Sequence, residues 1–229
     1  MTHNPIIVAL DLESAGEARA LAAQLGPRSD FYKVGMELYA AAGMDFVREL
    51  QAGGKQVFLD LKLYDIPETV KRAVAQVARA GVQFVTVHAV GSVMRAAVEG
   101  RAGAALKLLA VTVLTSFGPD DLKELGYDCP VADLVATRTR QAMEAGMDGI
   151  VCSPQEAAAA RAIVGLDAVI VTPGVRSAGR DAGDQKRVST PAGAIAAGAD
   201  FLVMGRQITR AADPARELAR VLEEIAAAS

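Results

Sequence analysis

The segment from Phe58 to Pro67, Phe-Leu-Asp-Leu-Lys-Leu-Tyr-Asp-Ile-Pro, carries charged residues inside an apolar run. Because side chains alternate between the two faces of a strand, Asp60 and Lys62 share one face and the intervening leucines share the other. The leucines would pack on helices, and the two charges would share the interior. The sequence therefore predicts a strand with a carboxylate beside an ammonium group, then a loop at Asp65 that opens a helix near Pro67.

Seven other apolar runs of strand length occur along the chain. Their continuous apolar character is typical of parallel strands covered on both faces, and it differs from the alternation of a sheet with one wet face. The eight strand candidates are Ile6–Leu10, Phe31–Gly35, Gln56–Leu63, Gln83–Val90, Leu108–Leu114, Gly149–Cys152, Ala168–Thr172 and Phe201–Met204.

Helix signals fill the intervals between these runs. Ser14 to Glu17 forms a capping box, and Ser153 to Glu156 repeats it with Pro154 at the first helical position. Thr190-Pro191 and Asp213-Pro214 use the same order of cap and proline. Each of three helical runs ends in an Ala-Gly pair just before a strand, where glycine suits the left-handed cap, at Gly81, Gly146 and Gly198.

Strand and helix alternate without a linker, a low-complexity tract or a change of composition. Such alternation either closes into a barrel or remains an open doubly wound sheet, and periodicity does not decide between them. A chain of 229 residues suits the barrel, which commonly runs to roughly 250 residues as one unit. We therefore expect an α/β protein, a single-domain (β/α)8 TIM barrel spanning residues 1–229.

Composition and charge argue against several classes of protein. Hydrophobic residues make up 52% and charged residues 22%, which supplies a core and is too little charge for disorder. A net charge of −3 without blocks of like charge predicts no nucleic-acid partner and no polybasic membrane patch. Cys129 and Cys152 lack the neighbours of a disulfide framework or a zinc site, so we expect a reducing cytoplasm. The apolar run that Asp11 interrupts is neither a signal peptide nor a membrane span.

Charged residues also occur at the ends of other strand candidates. Asp11 follows the first candidate and Lys33 lies in the second. In this kind of barrel the active site lies at the C-terminal ends of the strands, so Asp11, Lys33, Asp60 and Lys62 together predict a site there. The alternative is a structural network of paired ions that plugs the barrel mouth, because buried charges persist when they are paired.

A second polar cluster lies late in the chain. Residues 172–185 form a long loop punctuated by glycine, and Gly205 and Arg206 follow the eighth strand candidate. Loops after strands seven and eight usually build the phosphate site of such barrels, with glycine allowing close approach and arginine giving bidentate contacts. A solvated loop with incidental arginines is the alternative.

On these residues the chain resembles the orotidine 5'-monophosphate decarboxylase family. The residues from Asp60 to Asp65 match its Asp-x-Lys-x-x-Asp signature, and the Ile-Pro that follows is similar to the bacterial form. Other blocks resemble the family in order over essentially the whole chain: Val8–Asp11, Lys33–Gly35, Val87–Ala89, Ala110–Ser116, Val171–Arg176, Ala182–Arg187 and Met204–Arg206.

The resemblance implies a role for each matching residue. Lys33, Asp60, Lys62 and Asp65 would form the catalytic array, with Asp65 and Thr69 reaching the site of the partner in a homodimer. The implied substrate contacts are Asp11 and Lys33 to the ribose, Thr115 and Pro173 to the pyrimidine, and Gln185, Gly205 and Arg206, with Arg176 nearby, to the phosphate of orotidine 5'-monophosphate.

The implied reaction is loss of carbon dioxide from C6 of the pyrimidine with no cofactor and no metal. The electrons left on C6 lie in the ring plane, where the π-system cannot delocalise them, so stabilisation must be electrostatic. The resemblance assigns that task, and the later proton transfer, to Lys62.

Two other functions remain open. A magnesium-dependent enzyme similar to 3-keto-gulonate 6-phosphate decarboxylase shares the Asp-x-Lys pair, but it holds its metal partly through an acidic residue where this chain has Lys33, which would repel a cation. A non-catalytic nucleotide-binding barrel has no need of Lys62 beside Asp60. We interpret His88 as a hydrogen-bonded structural residue and Cys152 as a small core residue.

Overall fold

The computed structural model describes residues 4–178 and 189–228. Within these ranges eight parallel strands pair in chain order, and the last pairs with the first, so the sheet closes into a barrel. The strands are β1 (Ile6–Ala9), β2 (Phe31–Gly35), β3 (Gln56–Leu63), β4 (Phe84–His88), β5 (Lys107–Val111), β6 (Gly149–Val151), β7 (Val169–Thr172) and β8 (Phe201–Met204). The predicted (β/α)8 barrel is confirmed and the open sheet is excluded.

Helices follow the strands and cover the outside of the barrel. Helix α2 contains a kink at Gly43, which has a left-handed φ of 59°. The described helices are α1 (Ala15–Leu25), α2 (Met36–Ala52), α3 (Pro67–Arg79), α4 (Gly91–Arg101), α5 (Pro119–Glu124), α6 (Val131–Glu144), α7 (Ala157–Val164), α8 (Pro191–Ala196), α9 (Arg206–Thr209) and α10 (Pro214–Ala226). None of the helices in the described ranges is long and apolar enough to cross a membrane.

The predicted helix boundaries are right at some positions and wrong at one. The Ser14 hydroxyl accepts from the Glu17 backbone N–H, as the first capping box predicts. The second box is wrong: residues 154–156 form a turn and α7 begins at Ala157. There the Glu156 carboxylate accepts hydrogen bonds from both the backbone N–H and the hydroxyl of Ser153. The polar groups of the predicted box therefore pair with each other inside the turn.

The fifth strand ends earlier than its apolar run. The sequence predicts a strand from Leu108 to Leu114, whereas β5 ends at Val111. Val113 is nevertheless buried, because the segment after β5 turns inward and lines the barrel mouth. Burial, rather than strand pairing, explains the apolar residues beyond Val111.

A layer of aromatic rings fills the lower half of the barrel. Phe31, Phe84 and Phe201 stand at the first positions of β2, β4 and β8, and Phe58 lies in β3. The Phe84 ring centroid is 5.1 Å from that of Phe31, 5.9 Å from that of Phe58 and 5.4 Å from that of Phe201. This apolar layer supports the C-terminal half of the barrel, where the charged residues lie.

The close packing of α3 and α4 depends on a glycine and yields a prediction. A Cβ added at Gly100 would collide with the backbone of Lys71, coming within 3.0 Å of its carbonyl carbon. We expect Gly100→Ala to lower the free energy of unfolding by about 2 kcal/mol, because backbone cannot yield as a flexible side chain can. Urea denaturation checks this value.

The matched control is Gly16→Ala, also a helical glycine. Its added Cβ would meet only the Ser14 hydroxyl, at 3.8 Å. Higher helix propensity should then raise stability by up to about 1 kcal/mol. If Gly100→Ala is as stable as the native chain, the close approach of α3 to α4 does not exist in solution.

Candidate active site

A cavity of about 560 Å³ opens at the C-terminal ends of the strands. Apolar side chains such as Phe58 and Val203 line part of it, and charged and uncharged polar side chains line the rest. The structure brings most of the predicted site residues together here: Asp11, Lys33, Asp60, Lys62, Thr115, Pro173, Arg176, Gly205 and Arg206.

Asp11, Lys33, Asp60 and Lys62 form a chain of alternating charge. The Lys33 ammonium lies 2.7 Å from Oδ1 of Asp11 and 3.6 Å from Oδ2 of Asp60. The Lys62 ammonium lies 2.9 Å from Oδ1 of Asp60. Lys33 and Asp60 are largely buried, with side chains 9% and 13% exposed, whereas the Asp11 side chain is 54% exposed. The array thus runs from solvent into the barrel.

Lys62 reaches this array through an irregular backbone. Its φ is 50°, in the left-handed region, and the register between β3 and β4 shifts between Leu59 and Leu63. Such a conformation costs a non-glycine residue roughly 1–2 kcal/mol. Lys62 and Asp60 do share one face, as predicted, but a distorted strand rather than simple alternation brings their charges together.

Thr86 on β4 stabilises that distortion, and the sequence analysis missed it. Its hydroxyl accepts from the Lys62 backbone N–H at 2.9 Å and donates to Oδ1 of Asp60 at 2.9 Å. Thr86 is completely buried. The available signal was its alternation with Phe84, which places both residues on the inner face of β4.

Gly35 is a second residue that the sequence analysis missed. A Cβ at this position would lie 2.8 Å from Oδ1 of Asp11 and 2.9 Å from Nζ of Lys33. Any larger residue would therefore displace the ion pair between them. The signal was a glycine at the end of a strand, two residues after Lys33.

The charges around Asp60 set its protonation state. Burial acts to raise the pKa of this carboxyl, but the Lys33 and Lys62 ammonium groups and the hydrogen bonds from Lys62 and Thr86 outweigh it, so the pKa lies below its usual 3.8. Asp60 is an anion at neutral pH. The interior of the mouth therefore holds a fixed negative charge between two positive ones.

Two arginines lie on the β7–β8 side of the cavity, in the segments that follow those strands. Arg176 and Arg206 both contribute to its lining, together with Gly205. The backbone N–H of Arg176 donates to the Ser189 carbonyl at 3.0 Å, and Val175 bridges Ser189. These contacts join the two described ends of the β7–α8 connection. Gln185 lies outside the described residues.

Asp65 and Thr69 do not line this cavity. Both are exposed, and Oδ1 of Asp65 accepts from the neighbouring Ile66 N–H at 2.7 Å. Tyr64 and Ile66, on either side of Asp65, are each 67% exposed. Within a single chain, these two predicted residues thus lie apart from the array.

His88 lies at the end of β4, away from the cavity lining, and contacts the loop after β3. Its ring centroid is 5.4 Å from that of Tyr64. Burial, with the nearby positive charges of Arg138 and Lys62, lowers its pKa below 6.5, so the imidazole is neutral at pH 7. This is a packing contact, and the proposed structural role remains a prediction.

A closed (β/α)8 barrel with a charged cavity at the strand ends defines a barrel enzyme that acts on a small molecule. The model of the family described as Orotidine 5'-phosphate decarboxylase / HUMPS family matches residues 4–221, and the chain belongs to that family. The resemblance inferred from the sequence is confirmed.

Relatives and solved structures agree with this assignment. Orotidine 5'-phosphate decarboxylase of Rhodopseudomonas palustris (strain BisA53) is 53% identical over 98% of this chain and 95% of its own length. The protein of the same name from Afipia carboxidovorans is 53% identical over the whole of both chains. The crystal structure of orotidine 5'-phosphate decarboxylase from Lactobacillus acidophilus matches with a TM-score of 0.86 at 37% identity, covering 97% of this chain and 99% of that one.

The depressed pKa of Asp60 predicts how stability depends on pH. Because the folded pKa is lowered, ionised Asp60 stabilises the fold above about pH 4, and that contribution disappears as the pH falls through the folded pKa. Asp60→Asn should cost about 3 kcal/mol at pH 6, since the half-buried Lys62 ammonium loses its counterion and the buried Lys33 ammonium keeps only Asp11. The cost should shrink on acidification, as measured by urea unfolding at several pH values.

Asp45→Asn serves as the control, because the Asp45 side chain is 94% exposed in its pair with Arg48. It should change stability by less than about 0.5 kcal/mol at any pH. A cost for Asp60→Asn that stays constant from pH 6 to pH 3 would contradict the lowered pKa.

Proposed function

We propose that this chain converts orotidine 5'-monophosphate to uridine 5'-monophosphate and carbon dioxide, as a cytoplasmic, cofactor-independent step of pyrimidine biosynthesis. Residues 1–229 would act as one catalytic domain. The observation that carries the proposal is the array Lys33–Asp60–Lys62, with Lys62 2.9 Å from a buried carboxylate in a cavity of substrate size. Full-length identity to relatives named for this activity supports the choice of substrate.

In the proposed mechanism Lys62 stabilises the charge that develops on C6. An ammonium held in a partly dehydrated site interacts strongly with a carbanion and needs little reorganisation when the bond breaks. Its contact with Asp60 and its unusual backbone conformation both fix its position. The same ammonium then donates a proton to C6, which completes the exchange of carbon dioxide for hydrogen.

Asp60 would act on the carboxylate that leaves. The Asp60 carboxylate is anionic, and its contacts with Lys33, Lys62 and Thr86 prevent the side chain from rotating away from a bound substrate. A substrate carboxylate placed beside it would be repelled, and loss of carbon dioxide would relieve that repulsion. Lys33 offsets part of the negative charge of Asp60 and so stabilises the array.

The remaining residues of the cavity would bind the nucleotide. Asp11 and Lys33 suit the ribose hydroxyls, and Thr115 and Pro173 suit the pyrimidine. Arg206, Gly205 and Arg176 would hold the phosphate, and we assign Gln185 to the same group. Phosphate binding far from C6 provides binding energy that can be used in the transition state.

The magnesium-dependent alternative fits the donor set poorly. The Asp60 carboxylate already accepts a hydrogen bond from Lys62 and forms an ion pair with Lys33 at 3.6 Å, and a divalent cation bound to it would be repelled by both ammonium groups. Within the described ranges, no three His, Cys, Asp or Glu side chains cluster as metal ligands. We therefore favour a reaction that needs no metal.

Purified protein should convert orotidine 5'-monophosphate to uridine 5'-monophosphate, followed by the change in ultraviolet absorbance. Turnover should survive exhaustive EDTA treatment, because the proposed charge stabilisation comes from Lys62. Lys62→Ala should lose at least about a thousandfold in kcat, and Lys71→Ala, at an exposed lysine paired with Glu99, should lose none. Loss of turnover on chelation that magnesium restores would support the alternative enzyme instead.

We also propose a homodimer in which Asp65 and Thr69 act in the partner's site. Both residues are exposed and lie outside the cavity of their own chain, beside the exposed apolar side chains of Tyr64 and Ile66. A two-fold interface over this loop would cover that apolar surface and bring each Asp65 to the other array. No nucleic acid or membrane partner is proposed.

Mixing two inactive variants tests the shared site. Lys62→Ala and Asp65→Ala homodimers should each be badly impaired, but a hybrid dimer would contain one intact site and one doubly altered site. After equal mixing and subunit exchange, activity should recover to roughly a quarter of the native value, since half the dimers are hybrids and half their sites are intact. If exchange is verified and no activity returns, Asp65 acts within its own chain.

A further inference from the structure

We infer that Gln207 is a positioning residue, which sets the spacing of the two arginine-bearing segments on the β7–β8 side of the cavity. One segment carries Arg176 after β7, and the other carries Arg206 at the start of α9. The inference rests on the proposed function, because it takes this side of the cavity to be the phosphate site. Gln207 itself does not line the cavity, so it acts through the arginines.

Gln207 connects the two segments by a pair of hydrogen bonds. Its Oε1 accepts from the backbone N–H of Ser177 at 3.0 Å, and its Nε2 donates to the Ser177 hydroxyl at 2.8 Å. Ser177 directly follows Arg176, and Gln207 directly follows Arg206. The two hydrogen bonds therefore connect Ser177, the residue after Arg176, to the side chain of Gln207, the residue after Arg206.

A buried acid fixes the orientation of the Gln207 amide. Its Nε2 also donates to Oε1 of Glu217 at 2.9 Å. A flipped amide would point its oxygen at that carboxylate and its NH2 group at the Ser177 N–H, losing both of those hydrogen bonds, while the Ser177 hydroxyl can pair with either end of the amide. The arrangement thus has one favourable orientation, and Ser177 is held in one place.

Glu217 is itself held by Arg220. The Glu217 side chain is 10% exposed, and Arg220 binds both of its oxygens, with Nε 3.1 Å from Oε2 and Nη2 2.8 Å from Oε1. The Arg220 Nη2 also donates to the Ser177 hydroxyl at 2.8 Å. Ser177, Gln207, Glu217 and Arg220, which we call the stem network, thereby connect the β7–α8 connection to α10.

The segment that carries Arg176 is also held by a contact outside the stem network. The backbone N–H of Arg176 donates to Ser189, while the next N–H, of Ser177, donates to Gln207. The backbone that carries Arg176 is therefore held by two hydrogen bonds, one from its own N–H and one from the N–H of the next residue. A guanidinium recognises a phosphate through paired hydrogen bonds of fixed geometry, so a small shift of the backbone that carries it weakens binding of the dianion.

The test compares substrates with and without the phosphate. Gln207→Leu keeps the side-chain size but removes all three hydrogen bonds. We expect kcat/KM for orotidine 5'-monophosphate to fall about tenfold while that for orotidine changes by less than about twofold. Arg206→Ala provides the reference for direct loss of a phosphate contact, and Gln141→Leu, at an exposed position on α6, should leave both substrates unaffected.

A charge exchange separates positioning from general damage to the fold. Gln207→Glu alone places a second carboxylate against Glu217 and should lower the preference for the phosphorylated substrate by at least about tenfold. Adding Glu217→Gln restores one amide and one carboxylate at the same contact, so the preference should return to within about threefold of the native value. Glu224→Gln is the control and should rescue nothing, because the Glu224 carboxylate accepts from the Nη1 atom of Arg220 and not from the Nη2 atom that contacts Ser177.

Calorimetric binding of uridine 5'-monophosphate and of uridine supplies a readout that needs no turnover. Gln207→Leu should lose about tenfold in affinity for the nucleotide and retain its affinity for the nucleoside. Equal losses on both ligands, or no rescue by the paired exchange, would overturn the inference while leaving the proposed function intact. If native protein neither turns over orotidine 5'-monophosphate nor prefers the nucleotide to the nucleoside, the proposed function itself is wrong.

Discussion

The mouth of this barrel depends on one carboxylate held between two ammonium groups. Asp60 is buried, and burial alone would favour its neutral form. Lys33 and Lys62 keep it charged, and it in turn makes two buried or half-buried lysines tolerable at the end of an apolar barrel. Removing any of the three leaves an uncompensated charge, so the array is stable only as a whole.

Other residues near the array make that balance possible. Thr86 fills the hydrogen-bonding position between the carboxylate and the distorted backbone of Lys62. Gly35 leaves room for Lys33 to meet Asp11, which carries the alternation of charge out to solvent. The strain in the Lys62 backbone is thus supported by neighbours on the adjacent strand, as is common where a protein holds a reactive group in place.

The sequence predicts the strands and the charged array from periodicity, the barrel from chain length together with that alternation, and the remaining substrate contacts only through the family resemblance. Apolar runs identify the strands, and charges that interrupt them mark the mouth, so Asp11, Lys33, Asp60 and Lys62 could be found without a structure. The left-handed conformation of Lys62 could not, since it results from a register shift against β4. The turn at Ser153 was missed for a related reason: a serine and a glutamate three residues apart can pair with each other before a helix begins. Contacts between distant segments, such as Gln207 with Ser177, leave no periodic signal at all.

The phenylalanine layer on the N-terminal side of the array determines the route by which small molecules enter and leave the cavity. Four aromatic rings pack across the inside of the barrel within a buried apolar cluster, and a barrel interior filled in this way is a packed core rather than a pore. Anything that enters the cavity must leave by the same opening. A small neutral gas released next to the phenylalanine layer would therefore have to pass the larger product, which lies between it and the opening. Otherwise it could leave only after that product had dissociated. The order of product release would then depend on how tightly the cavity binds the larger product. The same affinity would determine how often the gas recombines with that product before it escapes.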